Sequence, residues 1–186
     1  MLVSKFEGGR DRLVCPECGH IVFGNFSLSV GGLLFHDGRV LLVQHSQEHN
    51  KDLWTLPGGY VETDEAPDAA VVREVLEETG LHTRVVGLLG FWHLSDREQH
   101  EAYCVFSLEL TGLLDEMKPG GDGYEIQRVQ FVCPDRLDLL GEIGPVARWF
   151  VEHYRPEEAT LLRVPDAEQP IPRRRYTTSV IFGPRV

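Results

Sequence analysis

Residues 59–81 constrain the fold and the chemistry of this chain more than any other stretch. The segment between Pro67 and Gly80 is rich in helix-forming residues, and Pro67 suits a first helical turn because its missing N–H costs nothing there. Gly80 is a typical C-terminal stop, and Thr63 or Asp64 is suited to cap the start. The pattern therefore predicts a loop that leads into a helix.

Three glutamates lie along one edge of the predicted helix. Glu74 and Glu78 are one turn apart, and Glu77 lies beside them. Because like charges repel, this edge favours a cation, and carboxylate oxygens select Mg²⁺ or Mn²⁺, which commonly bridge to phosphate oxygens. Arg73 could orient a neighbouring carboxylate through its planar fork. The alternative is a solvated acidic face, which is the usual meaning of paired glutamates.

The same helical period also predicts how this helix packs. Its apolar residues fall near a common stripe, which leaves the acidic edge facing a cleft. The stripe consists of Ala66, Ala69, Val72 and Leu76, and Val71 and Val75 widen it.

The spacing of the whole segment is more specific than its acidity. It runs from Gly59 over five residues to Glu65, over seven to Arg73-Glu74-Val75, then over single residues to Glu77-Glu78 and Gly80-Leu81. It resembles the box of the Nudix hydrolase family at every fixed position, and Trp54 and Leu56-Pro57-Gly58-Gly59 resemble the family's approach to its box. The resemblance covers roughly residues 27–154. It implies an α+β fold, an α/β/α sandwich with a mixed central sheet and a catalytic loop-helix at 59–81.

The resemblance also implies roles for individual residues. Glu74 and Glu78 are the firmest metal ligands, Glu77 is next, and Glu65 acts through a water. The Gly58 carbonyl is a further ligand. The predicted catalytic residues are Arg73, Glu74, Glu77, Glu78 and Glu125, and the predicted metal ligands are Gly58, Glu65, Glu74, Glu77, Glu78 and Glu125.

Two acidic residues precede a later predicted strand, where Nudix relatives often place an additional metal ligand or base. They are Asp122 and Glu125. Glu74 and Glu125 therefore compete for the role of general base, while the alternative for Glu125 is a surface charge at a strand end.

The resemblance implies Mg²⁺-dependent hydrolysis of the pyrophosphate bond of a nucleoside diphosphate joined to another group. ADP-ribose or a nucleotide sugar is the leading expectation, and clean-up of nucleoside triphosphates is the alternative. Signatures of narrower subfamilies are missing, including a proline near Asp96 and a tyrosine near Arg97 to Gln99. A further alternative is a regulatory module that binds a nucleotide metabolite without catalysis.

Trp92 and Tyr60 could stack a base, although aromatic residues in strands more often belong to the core.

The N-terminal segment, residues 1–26, contains a turn typical of half a zinc ribbon. Cys15 and Cys18 are spaced to present two thiolates to Zn²⁺, but the second pair that a full ribbon needs does not occur upstream. His20 or a second subunit could complete the site. The alternative is a metal-free turn.

Bulk composition sets further limits. With 18 Lys and Arg against 29 Asp and Glu, the net charge is −11, which argues against binding to duplex nucleic acid. The sequence shows neither a membrane-spanning run nor a signal peptide, so we expect no membrane partner and a cytoplasmic location. Four cysteines are too few for a disulfide scaffold. We also expect a homodimer.

The remaining pattern divides the chain into three parts. Residues 27–154 form the Nudix domain, with predicted strands at 27–35, 40–44, 53–56, 83–93, 101–110 and 125–133 and a helix at 144–154. Residues 155–186 form a Pro-rich, charged linker and a tail, in which Tyr176 to Phe182 is β-prone enough to dock on a sheet edge. Arg173 to Arg175 is expected to be solvated or to touch phosphate.

Overall fold

The secondary structure follows the predicted order. The computed structural model of the chain describes residues 1–23, 26–48, 50–95, 100–119, 125–154, 162–163 and 177–183. Within these ranges the strands are β1 (Val3–Glu7), β2 (Arg10–Val14), β3 (Ile21–Val22), β4 (Phe26–His36), β5 (Arg39–His45), β6 (Trp54–Thr55), β7 (Gly58–Tyr60), β8 (Thr83–Ser95), β9 (His100–Leu110), β10 (Ile126–Val132), β11 (Leu162–Arg163) and β12 (Thr177–Gly183). The α-helices are α1 (Pro67–Thr79) and α2 (Pro145–His153), and short 3₁₀ turns cover Leu114–Glu116 and Pro134–Leu139.

A mixed sheet organises the fold around β4. Its strand order is β10-β5-β4-β9-β8-β12-β11, with β6 beside β5 and β7 beside β4. The β4–β9 pair is parallel, and the other pairs are antiparallel. Because β4 pairs with both β7 and β9, it places the strand before α1 next to the centre of the sheet. The predicted mixed central sheet is confirmed.

The two faces of the sheet carry separate apolar cores, because alternate residues of a strand point to opposite faces. On one face Val30 and Leu34 of β4 pack in the cluster that contains Val71 and Val75 of α1. On the other face Leu33 packs in the cluster that contains Trp149 and Phe150 of α2 and the fully buried Trp92. The sheet is therefore sandwiched between helices, and Trp92 is a core residue with no exposed surface on which a base could stack.

Helix α1 begins at the predicted proline and ends at the predicted glycine. Gly80 has a left-handed φ of 73°, and its N–H donates to the Leu76 carbonyl. The predicted cap by Thr63 or Asp64 is wrong, because Ala66 occupies the cap position without a side-chain hydrogen bond.

The predicted packing stripe is also wrong. Leu76 is 38% exposed, Ala66 and Ala69 are exposed and Val72 is only partly buried, although Val71 and Val75 are buried as expected. The buried residues of the helix are Ala70, Val71, Val75, Glu78 and Thr79. The cause lies on β4, because a Cβ at Gly32 would lie only 3.0 Å from Val75 Cγ2 and 3.3 Å from Val71 Cγ2. This close approach turns Glu78 inward and Leu76 outward.

The terminal segments add strands outside the sandwich core. Strands β1, β2 and β3 form a separate three-stranded antiparallel sheet, and β12 pairs with the edge of β8. Arg173 to Arg175 and Tyr176 lie outside the described residues. The proposed boundaries at 26 and 154 stay predictions. No helix in the described ranges is both long and apolar enough to cross a membrane.

Candidate active site

The turn before α1 brings backbone and carboxylate together. Gly58 in β7 pairs with Gly31 of β4, and its N–H donates to Glu78 Oε2 at 2.8 Å. A side chain at Gly58 would collide with the Val30 carbonyl. The glycine therefore allows β7 to lie against β4 and to hold the end of the glutamate side chain.

Glu78 carries a buried and poorly compensated negative charge. Its residue exposure is only 7%. Burial raises the pKa of Glu78 well above its ordinary value, and the charges of Glu74, Glu125 and Glu77 raise it further, whereas the Gly58 N–H lowers it. A bound cation would remove the electrostatic cause of this shift.

Glu74 lies one helical turn away, against Gly59. A Cβ at Gly59 would lie 2.5 Å from Glu74 Oε1 and 2.9 Å from Oε2, so this position has room only for glycine. Burial raises the pKa of Glu74, Arg73 lowers it, and the charges of Glu77 and Glu125 raise it again. Burial therefore raises the pKa of both Glu74 and Glu78, and a bound cation would oppose both shifts.

Arg73 organises the outer carboxylates. Its guanidinium donates two hydrogen bonds to Glu65, at 3.0 and 2.6 Å, and one to the Tyr60 carbonyl at 3.1 Å. One nitrogen also donates to Glu74 at 2.9 Å and to Glu77 at 3.1 Å. The hydrogen bonds from Arg73 are the main cause that lowers the pKa of Glu65 to about 2. Arg73 therefore ties the loop 60–65 to the helix.

Glu125 stands at the entrance to β10, on the exposed side of the cluster. Its carbonyl accepts a hydrogen bond from the Ser46 N–H at 2.9 Å, which fixes the backbone there. Its charge contributes to the raised pKa values of both Glu74 and Glu78. The fold thus brings Glu125 near the helix carboxylates across about fifty residues of sequence. Asp122 lies outside the described residues.

The charge balance of this cluster is strongly negative. The predicted site residues include five carboxylates, of Glu65, Glu74, Glu77, Glu78 and Glu125, and one guanidinium, so the formal balance with all groups ionised is −5 + 1 = −4. Within the described ranges, Arg73 makes an ion pair with Glu65, Glu74 and Glu77 but not with Glu78. The most buried of these carboxylates therefore has no cationic partner among the described residues.

The donor set fits a hard divalent ion, although no ready-made cage is present. Among the described residues, no three His, Cys, Asp or Glu side chains stand close enough together to bind one ion. Mg²⁺, however, usually takes one or two carboxylates and keeps several waters. Glu78 and Glu74 supply two such carboxylates beside the Gly58 backbone.

The cysteine turn at the N-terminus is folded but incomplete as a metal site. The Gly19 N–H donates to the Cys15 carbonyl at 2.9 Å, and the Cys15 N–H donates to the His20 carbonyl at 2.8 Å. Backbone N–H groups of Cys18 and Glu17 lower the pKa of the Cys15 thiol. No cluster of three metal-binding side chains includes this turn in the described part of the chain.

The structure also reveals a polar group that the sequence pattern did not indicate. Buried Ser29 of β4 donates a hydrogen bond to the Glu101 side chain of β9, and a Cβ on Gly31 would overlap the Tyr103 hydroxyl. Burial raises the pKa of Tyr103 above its usual range, and the charges of Glu78 and Glu101 add to this effect. Ser29 and Glu101 are 72 positions apart along the chain. The strand pattern gave no signal for them, because the parallel β4–β9 pairing could not be deduced from it.

Comparison with known proteins identifies the family to which this geometry belongs. A model of the NUDIX domain matches residues 25–154. The chain belongs to the Nudix family. The predicted family is confirmed.

Individual Nudix relatives cover the same region. The chain is 38% identical over 103 residues to an ADP-ribose pyrophosphatase of Methanocaldococcus jannaschii. The aligned region covers 54% of this chain and 60% of that protein. It is 41% identical over 118 residues to diphosphoinositol polyphosphate phosphohydrolase 3-alpha of Mus musculus, with 62% of this chain and 68% of that protein covered. The chain thus spans about three-fifths of the archaeal relative's length.

A solved structure confirms the architecture of the sandwich. A NUDIX hydrolase from Nitrosomonas europaea superposes with a TM-score of 0.66 at 23% identity, over 82% of this chain and 86% of that one. At this identity the likeness shows the fold alone. It agrees with the mixed sheet and flanking helices predicted from the sequence.

Proposed function

We propose that this protein hydrolyses the pyrophosphate bond of a nucleoside diphosphate joined to a second group, with ADP-ribose or a nucleotide sugar as the substrate class. The observation that carries the proposal is the buried, uncompensated carboxylate of Glu78 beside Glu74 and the Gly58 backbone. The relative named ADP-ribose pyrophosphatase supports the choice of substrate. The products would be a nucleoside monophosphate and a second phosphate.

Mg²⁺ or Mn²⁺ would be held by Glu78 and Glu74, with the Gly58 carbonyl, Glu77 and a water-mediated Glu65 as further ligands. Such an ion supplies charge neutralisation for the phosphate oxygens and lowers the pKa of a water. Arg73 acts as a positioning residue, because it holds Glu65, Glu74 and Glu77 at once.

Proton removal from the attacking water needs a carboxylate that is not fully engaged. Glu125 is exposed, and its charge raises the pKa of both Glu74 and Glu78. Glu74 is the alternative base, although Arg73 already engages its Oε1. The variants Glu125→Gln and Glu74→Gln separate the two, since loss of the base should abolish the rise of kcat with increasing pH.

The mammalian relatives favour a second candidate substrate, a diphosphate carried by a polyphosphorylated ring. The nucleoside triphosphate alternative also stays open. A phosphate-release assay over ADP-ribose, nucleotide sugars, ATP and a diphosphoinositol polyphosphate, with and without Mg²⁺, distinguishes these substrates. Release from none of them with Mg²⁺ present would instead favour the non-catalytic, metabolite-binding module.

Zinc binding at Cys15 and Cys18, a homodimer and a cytoplasmic location are further parts of this proposal. The backbone N–H groups of Cys18 and Glu17 lower the pKa of the Cys15 thiol, and this favours the thiolate that zinc binds. Elemental analysis of protein purified without added zinc tests it, and less than about half an equivalent per chain would contradict it. Mass measurement in solution tests the dimer.

A further inference from the structure

Ser29, Glu101 and Tyr103 lie on the sheet face opposite α1, beside the proposed active site. Tyr103 belongs to the apolar cluster of the α2 face. Glu101 is two residues before it on β9, so both side chains point to this face, and Ser29 pairs with Tyr103 across β4 and β9. Glu101 therefore lies about 7 Å along the strand from Tyr103.

A chain of contacts links this group to Glu78. Glu78 accepts the Gly58 N–H, Gly58 pairs with Gly31, and the Tyr103 hydroxyl covers Gly31. Tyr103 is close enough to both Glu78 and Glu101 for their charges to act on it. Tyr103 therefore lies between Glu78, where the phosphates would bind, and Glu101.

A hydrogen bond orients the Glu101 carboxylate, but no cation among the described residues pairs with it. The Ser29 hydroxyl donates to Oε1, and Ser29 is 5% exposed. In the described part of the chain, Glu101 forms no ion pair, and its Oε2 accepts no hydrogen bond. A partly buried carboxylate with an open oxygen and an oriented partner is suited to accept hydrogen bonds from a ligand.

We propose that Glu101, positioned by Ser29, accepts hydrogen bonds from the hydroxyl groups of the second sugar of the substrate, which is joined to the diphosphate on the side away from the nucleoside and is absent from ATP. The inference deepens the proposed function and rests on it. A vicinal diol of a pentose supplies two donors, which suit a carboxylate. A further phosphate at this place would meet a like charge, so Glu101 also disfavours polyphosphorylated substrates.

The test compares Glu101→Gln and Ser29→Ala with the wild-type protein on ADP-ribose and on ATP. Removing the charged acceptor should lower kcat/KM for ADP-ribose about 10- to 100-fold and leave kcat/KM for ATP unchanged or higher. Ser29→Ala should lower it less, because Glu101 remains. Glu109→Gln is the matched control, since Glu109 lies on the same strand in an exposed pair with Arg84. It should change neither value.

A second arm measures, with Mg²⁺ present, the dissociation constant of an ADP-ribose whose bridging diphosphate oxygen is replaced by a methylene group, so that it cannot be hydrolysed. Weaker binding to Glu101→Gln by about tenfold or more supports the proposal. A variant that loses activity equally on both substrates, or on neither, or that binds the methylene analogue as tightly as wild type, overturns it. If the wild-type protein hydrolyses none of the substrates, the proposed function fails, and the binding arm still decides the role of Glu101.

Discussion

Glu78→Gln separates the chemistry of the site from the stability of the fold. The amide keeps the shape of the side chain and can still accept the Gly58 N–H bond, which is 2.8 Å long in the wild-type protein. It removes a charge from a residue that is 7% exposed and lies near three other carboxylates. Activity should therefore be lost while the fold survives.

Opposing contributions set the change in the free energy of unfolding. Converting a charge-assisted hydrogen bond into a neutral one costs about 1 kcal/mol. Removing the charge ends the repulsion from Glu74, Glu77 and Glu125, which is on the order of 1 kcal/mol for each nearby like charge. We expect a net gain of about 1–2 kcal/mol at pH 7 without metal, or a rise in Tm of about 2–8 °C for a domain of this size.

The pH dependence of this gain has a definite sign. Because folding raises the pKa of Glu78 from its ordinary 4.5, the folded protein binds the proton more tightly than the unfolded chain. The resulting stabilisation is present below pH about 4.5 and is lost as the pH rises through the folded pKa. In EDTA the Tm of the wild-type protein should therefore decrease relative to the Tm of Glu78→Gln as the pH rises from about 5 to 8.

The assays are Mg²⁺-dependent phosphate release and thermal unfolding in EDTA. Asp68→Asn is the control, because it removes one carboxylate from the exposed first turn of the same helix. It should cost at most about 1 kcal/mol and leave turnover intact. Retention of about a tenth or more of wild-type activity by Glu78→Gln, or a lower Tm than wild type at pH 7 in EDTA, would refute the reasoning.

Two further predictions concern the positioning of the carboxylates. Gly59→Ala should lower kcat at least tenfold, since its Cβ would lie 2.5 Å from Glu74 Oε1, whereas Gly87→Ala, which meets nothing within 4 Å, should leave kcat unchanged; equal kcat values in the two variants would contradict this. Arg73→Lys should lower the free energy of unfolding by about 1–3 kcal/mol in urea unfolding and also lower kcat, because an ammonium cannot reproduce the two-pronged bond to Glu65. An unchanged midpoint in urea would show that this bond is dispensable.

The sequence predicted both ends of α1. Pro67 and Gly80 mark the ends of α1 because their backbone constraints act within a few residues. The carboxylates also fall together as expected, since the helical period alone places Glu74 beside Glu78. The β5–β10 pairing brings Glu125 close enough for its charge to act on Glu74 and Glu78, and its role as a ligand or base stays a prediction.

The tertiary contacts were the part that the sequence could not supply. The parallel pairing of β4 with β9 joins residues about seventy positions apart, and strand periodicity carries no information about partners. Ser29 and Glu101 therefore looked like ordinary strand residues. Their hydrogen bond depends on a register that only the folded sheet defines.

The misassigned face of α1 shows why the site is electrostatically strained before any ion binds. Counting apolar residues placed Leu76 in the core, but packing against Gly32 of β4 buries Val71 and Val75 and turns Leu76 to solvent. One turn after Val75, that rotation places Glu78 on the packing side, where the Gly58 N–H is its one hydrogen-bond donor among the described residues. The face of α1 that stabilises the sandwich is therefore also the face that holds the charge. Loss of stability from an unpaired Glu78 and gain of affinity for a cation have the same origin, so a bound divalent ion should raise Tm most where Glu78 is ionised.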